Sequence, residues 1–330
     1  MKQIYYQHIA LLCLLIATTW LLSACSNDDS KEVKETAQAP SEIIFNPNIW
    51  KMAEGTRTTT IDNNTALQDQ DLKIDAYYHD TETKYLDGAK LHYDSSWKFW
   101  DGSQVHYYWP IEGSQTSPDI TVGSLDFVGV CPYANPGYVT TTSYAHSTGI
   151  TFTCDMSSYM TLASQASISE YLVAVLDAQT YTTQAAAPGG ALPLQFKHPF
   201  ALIKFVITAA SGTNVKINSV SIPALNTTAA CTYNGTTLSW SSQSGSAAMT
   251  LTQELKNGGT TEGTPFMVIP NDYGTKTLTV NATWDDWSNV TTDVTADVAF
   301  NWQAGYIYTY NLTLSKYALK VDVAKFTEQW

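Results

Sequence analysis

The chain has 330 residues and a formal net charge of −13 at pH 7. That balance excludes nucleic acid as a partner, because a phosphate backbone demands a basic face. Aromatic residues make up 12% against only 14% charged, a mix that favours pleated, half-buried strands over solvated helices.

In chain order, the first predicted element is an export signal over residues 1–24. Lys2 gives it a positive start, and Ile9 to Leu22 is an apolar run interrupted only by Thr18 and Thr19. The run is shorter than the roughly 20 apolar residues that a bilayer span needs, and it suits a secretory signal. Leu22-Ser23-Ala24-Cys25 follows at once and resembles the lipobox read by lipoprotein signal peptidase, which makes Cys25 the expected site of lipidation. Each buried methylene of an acyl chain contributes about 0.8 kcal/mol, so several chains hold a protein on a membrane where one does not.

Residues 25–57 are expected to be a lipidated tether followed by a removable strand. From Ser26 to about Pro40 the chain is polar and of mixed charge, which suits a solvated linker. Ser41 to Trp50 then reads as one lone strand, with Ile43, Phe45 and Ile49 as its apolar positions. Beyond it stands Arg57, the only arginine among 17 basic residues, in Gly55-Thr56-Arg57-Thr58-Thr59-Thr60. Small, hydroxylated neighbours mark an accessible segment, so an arginine-specific protease would find one target, between Arg57 and Thr58.

The rest divides into residues 58–188 and 189–330, with the boundary placed in the aperiodic stretch Thr182 to Leu192. In the first part, Trp97, Phe99, Trp100, Tyr107, Tyr108 and Trp109 form an aromatic cluster. It has two readings: a strand-rich core, or a glycan platform in which Trp97, Trp100 and Trp109 stack on sugars. His79-Asp80 and His92 with Asp94 can be drawn as metal or acid–base pairs, but surface histidines are the plainer reading. His198 falls inside a strand signal and is read as structural. Cys131 and Cys154 share one part and would form the one disulfide available within it; three buried free thiols, with Cys231, is the alternative.

In the second part the hydrophobic period is two. Leu278, Val280, Ala282 and Trp284 alternate with polar residues, as do Val294, Ala296, Val298 and Phe300, and Tyr306 through Leu314. Trp284-Asp285-Asp286-Trp287 reads as a strand end entering an acidic turn, with too few oxygen ligands for calcium. Leu319, Val321 and Val323 close the series as a last amphipathic strand. Short strands separated by turn chemistry define an all-β protein of antiparallel sandwiches.

No nucleophile elbow, phosphate loop or zinc-protease pair is present in the sequence, so the reading is not an enzyme, with no cofactor and no metal. A surface hydrolase with dispersed acidic residues is the weakest alternative. The chain resembles the fimbrillins of Bacteroidales, subunits of protease-assembled pili. The resemblance rests on the lipobox at Cys25, the strand at Ile43–Phe45 and Thr56-Arg57-Thr58. Further along it rests on Phe196-Lys197-His198-Pro199-Phe200 with the strand after it, on Trp302-Gln303-Ala304-Gly305-Tyr306-Ile307-Tyr308-Thr309-Tyr310, and on Trp330. It implies two tandem transthyretin-like or Ig-like β-sandwich domains. It also implies export as a lipoprotein to the outer-membrane surface, arginine-specific maturation, and assembly into fimbriae with other subunits by donor-strand exchange. That resemblance makes the strand with Leu319, Val321 and Val323 the candidate donor. Adhesion to a host or bacterial surface ligand would follow, in a shaft, tip or anchor role. The competing function is a surface glycan-binding lipoprotein that does not polymerise.

Overall fold

The computed structural model describes residues 41–49, 63–95, 99–101, 106–110, 123–166, 168–209, 215–251, 260–284 and 290–329. Cys25, Arg57, Thr58, Trp97 and the acidic turn at Asp285 lie outside the described residues, and so does Trp330. Strands dominate, as the period of two predicts.

One five-stranded antiparallel sheet has the order β4-β3-β2-β5-β8. Its strands are β2 (Leu72–Tyr78), β3 (Lys84–Asp94), β4 (Phe99–Asp101), β5 (Leu125–Cys131) and β8 (Leu172–Gln179). A four-stranded sheet, β13-β12-β7-β6, uses β6 (Val139–Ala145), β7 (Gly149–Asp155), β12 (Thr228–Tyr233) and β13 (Leu238–Ser244). It straddles the expected boundary, since β6 and β7 precede residue 188 while β12 and β13 follow it.

Two further sheets of four or more strands are present among the described residues. One, β14-β11-β17-β18, contains β11 (Val215–Leu225), β14 (Ala247–Leu251), β17 (Asp272–Trp284) and β18 (Thr291–Asn301). The other runs β15-β10-β19-β20, from β10 (Ala201–Ala209), β15 (Thr260–Glu262), β19 (Tyr306–Ser315) and β20 (Ala318–Gln329), and β16 (Phe266–Val268) also pairs with β10. Among the described residues, pairing between the named strands is antiparallel apart from two pairs. β10 and β19 run parallel, and so do the short β1 (Asn48–Ile49) and β9 (Gln195–Phe196).

Among the described residues, three short α-helices fill corners: α1 (Asn64–Gln68), α2 (Leu162–Gln165) and α3 (Tyr181–Ala186). α3 forms because Thr180 and Thr183 make a reciprocal capping box, although no apolar period marks it in the sequence. It overlaps the aperiodic stretch from Thr182 to Leu192 in which the boundary was expected.

The larger of two cores among the described residues extends from β5 to β19 and crosses residue 188. Trp302-to-Tyr310 explains itself there. Gly305 takes φ +74 and turns the chain, so that the buried Trp302 indole donates to the Tyr310 hydroxyl at 2.8 Å. The Phe196-to-Phe200 segment passes between cores, with Phe196 in the smaller and Phe200 in the larger. β5 is buried along its whole length because it faces a core on each side. Phe127 and Cys131 point into the smaller core, Val128 and Val130 into the larger.

Of the two cysteine readings, the structure has the free thiols: Cys131, Cys154 and Cys231 are all unpaired by disulfide and buried. Burial pushes the Cys154 thiol up to about 12 and raises the other two as well. A maleimide should therefore leave all three unlabelled in the native protein and label them in denaturant, read by intact mass. Labelling of any of them at native-state rates would show that its core opens.

Candidate functional site

The smaller core contains the predicted lone strand. Ile43, Phe45 and Ile49 are each no more than 5% exposed, whereas Ile44, between two of them, is 40% exposed. Alternation in the sequence thus becomes alternation in burial. Phe45 meets Phe127 edge to face at 5.3 Å, and Phe127 meets Trp109 likewise at 5.8 Å.

Backbone bonds hold the segment on both edges. On one edge Ile43 N–H donates to Tyr107 O at 2.7 Å, and Trp109 N–H donates to Ser41 O at 2.8 Å. On the other, Leu192 N–H donates to Ile44 O, Asn46 N–H to Leu192 O, and Asn48 N–H to Leu194 O. The segment therefore fills a slot between residues 107–109 and 192–196, antiparallel to the first and parallel to the second. At its far end Ile49 N–H donates to Oδ1 of Asn64, the first residue of α1, at 2.9 Å.

One side chain clamps the slot from above. Gln184 on α3, only 3% exposed, accepts from Ile44 N–H at 3.1 Å and from the Trp109 indole at 3.0 Å. Its amide donates to Glu42 O at 2.9 Å. Nothing in the sequence singles out Gln184, since it stands in the aperiodic stretch between the two halves. An ion pair also bridges the slot: His106 Nδ1 lies 2.6 Å from Glu42 Oε1, but both groups are exposed, so it contributes little.

The aromatic platform is corrected by this arrangement. Trp100 and Trp109 are 6% and 4% exposed, members of the smaller core, so neither offers a ring face to a sugar. A strand-rich domain this size needs large apolar bodies inside, and these rings supply them. Tyr108 alone of the described set is exposed, at 42%.

At the other end of the chain, β20 is the edge strand of its sheet. It is hydrogen-bonded to β19 with Leu319 opposite Leu314, Val321 opposite Leu312 and Val323 opposite Tyr310. Leu319 and Val321 are partly buried against the larger core.

The described residues thus combine a separate strand seated in the smaller core with an edge strand, β20, in another sheet. The fimbrillin-like family model matches residues 56–330, and the chain belongs to that family. It is accordingly a pilus-associated or adhesion subunit of the cell surface. Among solved structures, a candidate cell adhesion protein from Bacteroides ovatus superposes with TM-score 0.55 at 16% identity, covering 89% of this chain and 99% of that one. A second, from Bacteroides uniformis, gives TM-score 0.51 at 17% identity over 87% and 99%. These likenesses concern the fold. A comparison with curated proteins finds no match.

Proposed function

We propose that this chain is a fimbrial subunit exported as a lipoprotein through Cys25 and activated by cleavage between Arg57 and Thr58. Assembly then follows by strand exchange, on a surface-exposed, outer-membrane site. The observation that carries the reading is the seating of residues 41–49: a segment upstream of the lone arginine fills a core slot. Three buried apolar side chains at about 1.5–3 kcal/mol each amount to a sizeable part of a domain's net stability of about 5–15 kcal/mol. While the segment is tethered it returns to its slot at high effective concentration; once cut it can be displaced by a similar strand from a neighbour.

The donor in this reading is the strand bearing Leu319, Val321 and Val323. As an edge strand it has one hydrogen-bonded neighbour, so its release breaks a single ladder. Residues 58–188 and 189–330 are the two sandwich units, the second lending residues 192–196 and the β12–β13 hairpin to the first. Arg57→Ala protein should reach the surface, keep its full N-terminal segment and form no heat-labile polymer ladder, read by N-terminal sequencing and unboiled gels. Normal ladders from uncleaved Arg57→Ala protein would overturn the proposal.

A further inference from the structure

The sequence places His79 beside Asp80, but folding gives it other neighbours. His79 follows the end of β2, Asp126 lies on β5, His146 is in the β6–β7 turn and Asp177 is on β8. One ligand atom from each falls within 4.8 Å of the others. His79 Nδ1 is 2.7 Å from Asp126 Oδ1 and 3.2 Å from Asp177 Oδ1. His146 Nδ1 is 3.1 Å from Asp126 Oδ2 and 3.4 Å from the same Asp177 Oδ1. The two imidazoles thus aim the same nitrogen at the same pair of carboxylates, their rings crossed edge to face at 4.1 Å.

We propose that His79, Asp126, His146 and Asp177 form a binding site for one zinc-class divalent cation. A tetrahedral ion with bonds of about 2.0–2.1 Å has ligand–ligand edges of about 3.3 Å. The four histidine–carboxylate separations run from 2.7 to 3.4 Å, near that edge, with Asp126 presenting Oδ1 to His79 and Oδ2 to His146. One ligand atom from each of the four residues lies within 4.8 Å of the others, a spread that side-chain rotation can close around one ion. Two imidazoles and two carboxylates also match the charge, because two anions and two neutral nitrogens cancel a dication. Calcium is the poorer fit, since it takes 6–8 oxygens.

Outer groups orient the ligands as metal sites require. Asp126 is 1% exposed, and it accepts from Ala178 N–H at 2.8 Å and from the Tyr144 hydroxyl at 2.8 Å. A bulge in β8 opposite Asp126 produces this. Leu125 pairs with Gln179 and Phe127 with Leu176, which leaves Asp177 and Ala178 facing one residue. His146 is anchored by its own N–H, which donates to Glu82 Oε1 at 2.8 Å. His79, His146 and Asp177 are partly exposed, so an ion can enter from solvent. Three ligands come from the β2-β5-β8 sheet and the fourth from the opposing sheet. The bound ion would therefore clasp the two sheets together at one end.

The test uses the full chain, freed of metal by chelation and titrated with zinc chloride in a calorimeter. About one ion per chain is expected, together with a raised melting temperature. His146→Ala, in an exposed turn where folding is safe, and Asp177→Asn should each weaken binding at least tenfold. His92→Ala removes an exposed histidine bonded to Asp71 instead, and should bind as the parent does. Absence of stoichiometric binding by the folded parent would overturn the proposal, as would parental affinity in both His146→Ala and Asp177→Asn, or loss of binding in His92→Ala.

Discussion

Replacing Phe45 by aspartate is expected to unseat residues 41–49 from the smaller core and to remove about 5–9 kcal/mol of stability there. The ring is 4% exposed and packs on Phe127. Deleting such a ring costs about 3–5 kcal/mol by itself. A carboxylate cannot replace it inside the slot, because an unpaired buried charge costs more than the segment gains by docking. The chain's cheaper response is to let go of the whole segment, so the loss is capped at the docking energy of Ile43, Phe45 and Ile49 together. Ile44→Asp changes the same segment at a position that is 40% exposed, and should cost well under 1 kcal/mol. Urea unfolding of the two variants, followed at the Trp109 environment, measures the contrast. Equal midpoints for the two would mean that the segment rests on the core without stabilising it.

What the sequence made legible was whatever has a local period. Alternation at Ile43 and Phe45 was readable, and so were the strands from Leu278 onward, because a half-buried strand must place apolar residues two apart. The slot itself was not readable. Its walls at 107–109 and 192–196 are separated along the chain by most of a domain, and its clamp, Gln184, rides on a helix made by a capping box rather than by an apolar stripe. The parallel pairing of β10 with β19 is equally hidden, since period says which face a residue takes but not which strand lies beside it.

The His79 cluster failed to show for the same reason in a sharper form. His79-Asp80 sits in the turn after β2, where sequence adjacency says nothing about which groups converge, and Asp126 interrupts an apolar run in a way that local reading takes as noise. In β5, buried on both faces, that carboxylate must find partners, and it finds them in three other elements. A buried charge within an apolar strand is the signal that would have pointed there.

Gly129→Val should disrupt the same slot from beneath and cost about 3 kcal/mol or more, the upper range for overpacking a filled core. Gly129 lies on β5 between Phe127 and Cys131, both of which face the smaller core. An ideal Cβ there would stand 2.5 Å from Leu194 Cδ2, 2.9 Å from Phe196 Cζ and 3.3 Å from Ile74 Cδ1. Even a methyl would require both Leu194 to rotate and the Phe196 ring to give way, and the two extra carbons of valine push harder on that ring, which has nowhere to go at 0% exposure. The stretch at 192–196, which carries both side chains and ends in strand β9, must then lift away from β5. Residues 41–49 are hydrogen-bonded to that stretch, with Asn48 N–H on Leu194 O at 2.9 Å and Ile49 beside Phe196, so they move with it. Hydrogen exchange should report this directly: the Asn46 and Asn48 amides lose protection in Gly129→Val, while amides of β17 and β18 keep theirs. Under the strand-exchange reading the variant should also release its cleaved segment faster and accept a donor strand sooner. Unchanged protection at Asn46 and Asn48 in a folded Gly129→Val protein would show that the slot is not coupled to its floor.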